Sequence, residues 1–424
     1  MCILRYFLLI LLIVFLSCSD KITKEEDFNR LDENVIKIGY LGPYSYELSD
    51  GDTYYYEALL AIRQANLAGG IMGKKLALIP EDTKTNPDTA IVAAKKLLDK
   101  GVVAIIGPIT STNTIAVSTN VTIPNNILLI TPWATSPAIA NIEDNNLVWR
   151  TVPSDNFQGV AAANYILTKL NKKTCSVIYI DNDYGEGLAN IFKKTYTENG
   201  GQIYKILKYS QNIIYNEDEQ RKLPVKIDSL FSDLPEIIYF VTYDYDGAYI
   251  LNKIFESGII EQNYNPVFFG CDGNTKDAFI SNVVSFFDVD FYTTMVAPLD
   301  SAGYFDKFRN DFEKILEYRF SLQNSGNVYD AASLLIYTLA ASPSLNTQDI
   351  VETIPEIANN GGEKIFYNEF EKGLSLIAEN KKIDYEGVFN PLDFDENGDI
   401  KKAAYFISKI ENKDFIVIDT IIVE

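Results

Sequence analysis

Val102-Val-Ala-Ile-Ile-Gly107-Pro108-Ile109-Thr110-Ser111 is an unbroken apolar run that stops at Gly-Pro and passes into hydroxyl side chains. A short run with no polar alternation is what a parallel strand covered on both faces requires. Upstream, Pro87 marks a helix start and Gly101 its stop near Lys100, the usual asymmetry of helix ends. Further back lie a strand at Leu76–Pro80 and a helix over 53–68, with Tyr56, Leu59, Leu60 and Leu67 at helical spacing and Gly69-Gly70 as its stop. Before them Val35-Ile-Lys-Ile-Gly-Tyr-Leu41 reads as the first strand. Another strand–helix unit covers about 112–131. Strands alternating with helices predict a doubly wound α/β sheet.

A similar series restarts near Phe157: helix 157–170, strand 176–180, helix 186–199, strand Ile237–Val241, helix 246–257 and strand Val267–Gly270. Two α/β lobes are therefore expected, joined near Thr151-Val-Pro-Ser-Asp155. Helical sequence follows at 303–318 and 328–342, then a loop-rich tract, then terminal strands at 403–410 and 414–423.

The net charge of -21 disfavours nucleic acid, because an acidic surface repels a phosphate backbone. With no histidine in 424 residues, Ser-His and Cys-His nucleophile pairs, imidazole acid–base chemistry and most zinc sites are excluded. Carboxylate, lysine and tyrosine chemistry stay open. No cofactor or metal is expected. Residues 1–17 hold Arg5 and an apolar stretch Tyr6–Leu16, too short for a bilayer and fit for a signal peptide. Ser17-Cys18 follows and resembles a bacterial lipobox, although Phe15 stands where leucine is usual. Cys18 is the expected lipidation site, and residues 18–34 the anchored, flexible tether. Cys175 and Cys271 are distant and do not make a disulfide framework; a bridge between them stays open beside two free thiols.

Several strand-end motifs occur in order: Gly42-Pro43; Ala68-Gly-Gly-Ile-Met-Gly-Lys-Lys75; Ile106-Gly-Pro-Ile-Thr-Ser111; Thr131-Pro-Trp-Ala-Thr-Ser-Pro137; Arg150-Thr-Val-Pro-Ser-Asp155 with Gln158-Gly159; Asp181-Asn-Asp-Tyr-Gly-Glu-Gly187; Gly270-Cys-Asp-Gly273; and Asp393-Phe-Asp-Glu-Asn-Gly-Asp399. Together, over about residues 35–420, they resemble the leucine/isoleucine/valine-binding family, the type I periplasmic solute-binding proteins. The resemblance implies two doubly wound lobes around a ligand cleft. Lobe 1 would take 35–152 plus 297–392 and lobe 2 153–296 plus 393–424, with crossovers near 152–155, 294–297 and 391–394. The function implied is capture of a small polar solute, an amino acid, amide or small carboxylate, for a membrane permease. The protein would be an exported, lipid-anchored monomer and not an enzyme.

Ligands of such sheets bind at the carboxyl ends of strands. There Ser111 and nearby N–H groups would face an anion, which the resemblance makes the ligand carboxylate; a helix cap is the plainer role. The resemblance gives the Thr135 hydroxyl and N–H and the Trp133 carbonyl, within Trp133-Ala134-Thr135, to the ligand head group. The Trp133 side chain either walls the pocket or packs outward. From the other lobe Tyr184 would close on the ligand and Asp272 would pair with its ammonium, although the family carries glutamate there. Tyr243 and Tyr245 flank a strand end with a contact role, and Asp155 would brace the hinge. One or two of Tyr44, Tyr46, Tyr54, Tyr55 and Tyr56 would line the cleft.

The alternative is a ligand-sensing subunit of a receptor with the same fold. A carboxylate hydrolase would need Asp272 paired with Asp155 or Asp183. The stretch Asp393-x-Asp-x-Asn-Gly398 begins like a calcium loop, but Ala404 stands at its twelfth place.

Overall fold

The computed structural model describes residues 35–44, 51–260, 264–284, 289–299, 303–316, 326–359 and 361–424. The leader, Cys18, the tether and Tyr46 lie outside them. The first sheet is wholly parallel, in the order β2-β1-β3-β4-β5. Its strands are β1 (Val35–Gly42), β2 (Lys75–Asp82), β3 (Ala104–Ile106), β4 (Leu128–Thr131) and β5 (Val148–Arg150). Ile36, Ile38, Ala104, Ile106, Leu128 and Ile130 face one core; Leu41, Ile105 and Leu129 face the other. Both faces are dry, which is why the run at 102–106 shows no alternation. On the first face pack α1 (Gly51–Leu67), α9 (Tyr304–Leu316), α10 (Asn327–Ala341), α11 (Thr347–Ala358) and α12 (Phe370–Ala378). On the second lie α2 (Pro87–Asp99) and α3 (Ser111–Val117), which runs on as a π-helical turn, Ser118–Thr122.

The second sheet runs β14-β13-β10-β9-β8-β6-β7. Its parallel part is β6 (Thr174–Ile180), β7 (Gln202–Tyr209), β8 (Ile237–Val241), β9 (Val267–Gly270) and β10 (Phe291–Ala297). The antiparallel hairpin β13 (Ala403–Glu411) and β14 (Asp414–Val423) extends it, with β13 on β10. Helix α4 (Asp155–Thr168) leads into this sheet from β5, and α5 (Asp183–Glu198), α6 (Glu217–Phe231), α7 (Asp244–Glu256) and α8 (Asp277–Asn282) connect its strands. A two-stranded pair, β11 (Glu363–Ile365) and β12 (Ile383–Tyr385), completes the strands described.

Part of this departs from the pattern reading. The tract read as loop-rich holds α11 and α12. Pro355 interrupts the first, although Ile350, Val351, Ile354 and Ile357 sit at helical spacing behind the Asn346 cap. The span 200–236 gave no unit, yet holds β7 and α6. β7 is an edge strand with half-buried Lys205 and exposed Lys208, and α6 carries Pro224 mid-helix. Tyr184 belongs to the first turn of α5, which starts ahead of the helix expected from 186.

The chain passes between the sheets after Arg150, after Ala297 and before Ala403. The passages are laced together. Arg150 N–H donates to the Gly398 carbonyl, the Thr151 hydroxyl to the Asn327 carbonyl at 2.8 Å, and Leu299 N–H to the Phe389 carbonyl. The fully buried Arg150 guanidinium holds Asp399 through two hydrogen bonds of 2.5 Å and the Ser136 carbonyl at 2.9 Å.

α10 is buried nearly all round, as a helix at the centre of a lobe must be. Glu57 of α1 is fully buried beside it. Burial pushes its carboxyl up to about 8; Asp330 adds to the rise, and the N–H groups of Tyr329 and Val328 pull against it. Asp330 is itself raised to about 7 by burial. An acid held above its unfolded pKa binds its proton more tightly when folded. Its contribution is complete below the unfolded value of 4.5 and is lost as pH rises through about 8. Folding stability is therefore expected to fall from pH 5 to 8. In Glu57→Gln that slope should flatten by a few kcal/mol, at roughly 1.4 kcal/mol per pKa unit. Denaturant titrations across this range check it; an unchanged slope would contradict the assignment.

Candidate functional site

The carboxyl ends of both sheets turn toward one another, and the loops leaving them bound a cavity of about 540 Å³. β3 ends at Gly107, with φ +96 and a backbone so close that a Cβ would stand 2.3 Å from the Leu41 carbonyl oxygen. Only glycine makes this turn, which delivers Ser111 to the cavity. The Ser111 oxygen accepts the Ser136 N–H at 3.1 Å, so its own hydrogen is uncommitted among the described residues. The preceding Thr110 occupies the N-cap position without a side-chain capping bond. The plain capping role is thus absent here.

β4 ends in Thr131-Pro-Trp-Ala-Thr. The cap after it is Ser136, which accepts from Ala138 N–H. Thr135 is therefore free to pair elsewhere. Its hydroxyl donates to Asp155 at 2.8 Å, and the Asp155 N–H returns to the Thr135 carbonyl. Trp133 lines the cavity, tilted against Tyr54 with ring centres 5.7 Å apart. Its ring thus takes the inward of the two alternatives. Ala134 is the exception among the residues singled out. It does not line the cavity; its methyl is sealed in the α2–α3 core and its carbonyl faces the Arg150 guanidinium.

In the second lobe, β6 turns at Asp181-Asn182, and the Asn182 side chain caps α5 through the Gly185 N–H. A Cβ on Gly185 would lie 2.1 Å from the Ile180 oxygen, so glycine lets α5 start tight against its strand. That start buries Tyr184, whose ring stacks on Tyr243 at 5.4 Å and 10°. The Tyr184 hydroxyl donates to Asp272 at 2.5 Å. Asp272 opens the short 3-10 turn Asp272–Asn274 after β9. Tyr243 and Tyr245, at the mouth of α7, both line the cavity. Cys271 and Cys175 are buried free thiols, and Cys271 Sγ lies 3.0 Å from the Tyr184 hydroxyl.

Ser111, Trp133, Thr135, Tyr184, Tyr243, Tyr245 and Asp272 thus share one cavity. So do residues the motifs did not mark, among them Tyr54, Asp244, Asp246, Lys276, Met295 and Phe389. Tyr54 belongs to the tyrosine patch noticed in the sequence. Its neighbours Tyr40, Tyr44, Tyr55 and Tyr56 pack edge-to-face in the lobe 1 core. Lys276 crosses from the opposite lobe to lie 5.9 Å above the Tyr54 ring centre, a cation–π contact. The Ser136 hydroxyl donates to the Asp183 carbonyl at 2.8 Å, and Asp183 N–H reaches Thr112 at 3.4 Å, also across the lobes.

Asp155 and Asp272 are the acids behind this wall. Burial, then the neighbouring Asp272, holds the Asp155 carboxyl well above the usual carboxylate range; the Thr135 bond and Arg150 pull it down. Burial also raises Asp272, against the hydrogen bonds from Tyr184 and Gln158. Asp246 is pushed to about 7 by burial while the Tyr209 hydroxyl donates to it. Donors at one end and carboxyls at the other are what an amino-acid zwitterion needs.

Residues 58–412 match the family described as the receptor family ligand binding region. The chain belongs to that family. It is 34% identical over 171 residues to a leucine-, isoleucine-, valine-, threonine- and alanine-binding protein of Pseudomonas aeruginosa, covering 40% of this chain and 45% of that one. It is 29% identical over 245 residues to a Leu/Ile/Val-binding protein of Rhizobium johnstonii, covering 58% and 63%. These matched segments span less than two thirds of either relative. A leucine binding protein from Thermotoga maritima superposes with a TM-score of 0.72 at 21% identity, covering 91% of this chain and 98% of that one. A branched-chain amino acid transporter substrate binding protein from Streptococcus pneumoniae, in complex with isoleucine, gives 0.71 at 21%, covering 92% and 99%. The fold is that of the type I periplasmic binding proteins.

Proposed function

We propose that this chain captures a free amino acid between its lobes and presents the closed complex to a membrane permease, without catalysing a reaction. The observation that carries the reading is the facing arrangement in one cavity: Ser111 and Thr135 on lobe 1, Tyr184 and Asp272 on lobe 2. Ser111 donates to the ligand carboxylate and Asp272 takes the ammonium. The ligand side chain then lies along Trp133, Tyr54 and Tyr243. The names of the relatives support an aliphatic amino acid. The cavity would hold roughly 18 waters at about 30 Å³ each, so a larger side chain also fits. Contacts to both lobes favour the closed state, which is the signal a partner reads. The exported monomer is tethered through diacylated Cys18, with lobe 1 formed by 35–152 plus 297–392 and lobe 2 by 153–296 plus 393–424.

A thermal-shift panel on the full chain tests this, with leucine, isoleucine, valine, threonine, alanine and larger amino acids. A true ligand at a hundred times its Kd should stabilise by about 2.7 kcal/mol. Silence across the whole panel would sink the reading.

A further inference from the structure

α5 meets lobe 1 along one face. Asp183 and Gly187 stand four residues apart in this helix, and so on the same side of it. Ser136, on the loop after β4, fits against both. Its hydroxyl donates to the Asp183 carbonyl at 2.8 Å, and a Cβ on Gly187 would lie 3.0 Å from the Ser136 oxygen and 2.8 Å from Pro137 Cδ. The three atoms nearest that Cβ all belong to Ser136 and Pro137 of the other lobe. Gly185, by contrast, is fitted to Ile180 of its own strand. Glycine weakens a helix interior relative to alanine, so α5 gives up stability at 187 for an approach that its own lobe does not need. Pro137 cannot yield to a larger residue, because its ring holds Cδ to the backbone nitrogen.

The contact is tied to the ligand site from both sides. Ser136 N–H donates to the Ser111 oxygen at 3.1 Å, and the Ser136 carbonyl accepts from Arg150 at 2.9 Å. Asp183 N–H reaches the Thr112 hydroxyl at 3.4 Å, next to Ser111. In lobe 2, Asp183 adjoins Tyr184, whose hydroxyl donates to Asp272 at 2.5 Å. How closely α5 rests on Ser136 and Pro137 therefore sets how far Ser111 stands from Tyr184 and Asp272. Gly187, Ser136 and Pro137 themselves do not line the cavity.

We propose that Gly187 is a positioning residue for ligand capture: its missing side chain lets α5 come to rest on Ser136 and Pro137, and this rest fixes the closed separation of the lobes. The inference rests on capture between the lobes and goes beyond it, since the residue acts from outside the ligand's reach. A methyl group at 187 holds the cleft ajar. It meets nothing when the lobes are apart, so ligand enters at its usual rate and leaves faster.

Variants of the full chain test this. Gly187→Ala should weaken L-leucine binding roughly five- to a hundredfold, the range expected for an extra methyl group forced into a packed contact. Stopped-flow fluorescence should place nearly all of that in the dissociation rate. The unliganded melting temperature should not fall, because alanine is the better helix former. Pro137→Ala removes Cδ, so Gly187→Ala with Pro137→Ala should recover much of the lost affinity. An unchanged Kd in Gly187→Ala, a double variant that binds no tighter than Gly187→Ala, or a lowered unliganded melting temperature overturns the proposal. Gly187→Trp supplies an arm without ligand. An indole there cannot share the space of Pro137, so small-angle scattering should show the lobes splayed wider than an arrangement that keeps the Ser136–Asp183 bond. A profile matching that arrangement overturns the proposal whatever the cavity binds. If neither leucine nor any other amino acid binds the wild type, the amino-acid reading fails by itself, and the scattering still decides the contact.

Discussion

Asp272→Asn should abolish high-affinity amino-acid binding and leave the fold intact. Truncating one partner of a buried, hydrogen-bonded charge pair costs about 2–5 kcal/mol, roughly thirty- to several-thousand-fold in Kd. The asparagine oxygen still accepts from Tyr184, so packing is kept. Removal of the negative charge also relieves Asp155, whose raised carboxyl reflects that neighbour after burial. The unliganded protein should therefore melt no lower than wild type, and the gain in melting temperature on adding ligand should vanish. A calorimetric titration paired with a melting curve reads both. Unchanged affinity would remove Asp272 from the site; a collapsed melting temperature would make it structural.

Arg150→Met should give the largest loss of stability. Its guanidinium is fully buried, and the Asp399 side chain it holds is only 10% exposed. Breaking such a pair strands a charge, at about 3–5 kcal/mol, and the Ser136 carbonyl is left with only the longer bond from the Ile139 N–H. The damage falls where the first and third passages between the lobes meet. The midpoint of chemical denaturation should drop accordingly. Arg150→Met with Asp399→Leu should recover much of the loss, because neither charge is then left alone. A single variant within about 1 kcal/mol of wild type would show that the pair carries little.

The fold was legible where both lobes repeat buried strands ended by glycine. Val102–Ile106 and Ile237–Val241 are apolar throughout because helices cover both faces of their sheets, and Gly107 and Gly185 mark ends where no side chain fits. Elements stabilised by tertiary contact were not legible. α6 and α11 carry prolines inside helices held by packing, and β7 is half exposed at a sheet edge. The site divides in the same way. Ser111, Thr135, Tyr184 and Asp272 lie at strand ends whose motifs announce them. Lys276 and Phe389 reach the cavity only because distant segments are folded against it, and no local pattern records that. Ala134 lies off the cavity for a related reason: its neighbours at 133 and 135 face the cavity, and the backbone turns its own methyl into the core. For Asp155, position at the first crossover suggested a brace, and the packed structure adds the bond its carboxyl accepts from Thr135.

An amino-acid cleft must recognise an ammonium and a carboxylate together. The most direct test is a calorimetric comparison, on the full chain, of the amino acid giving the largest thermal shift with its desamino carboxylic acid. The amino acid should bind saturably, one to one, and the acid not at all at the same concentrations. Equal binding of the two would contradict it, because Asp272 would then have no ammonium to hold.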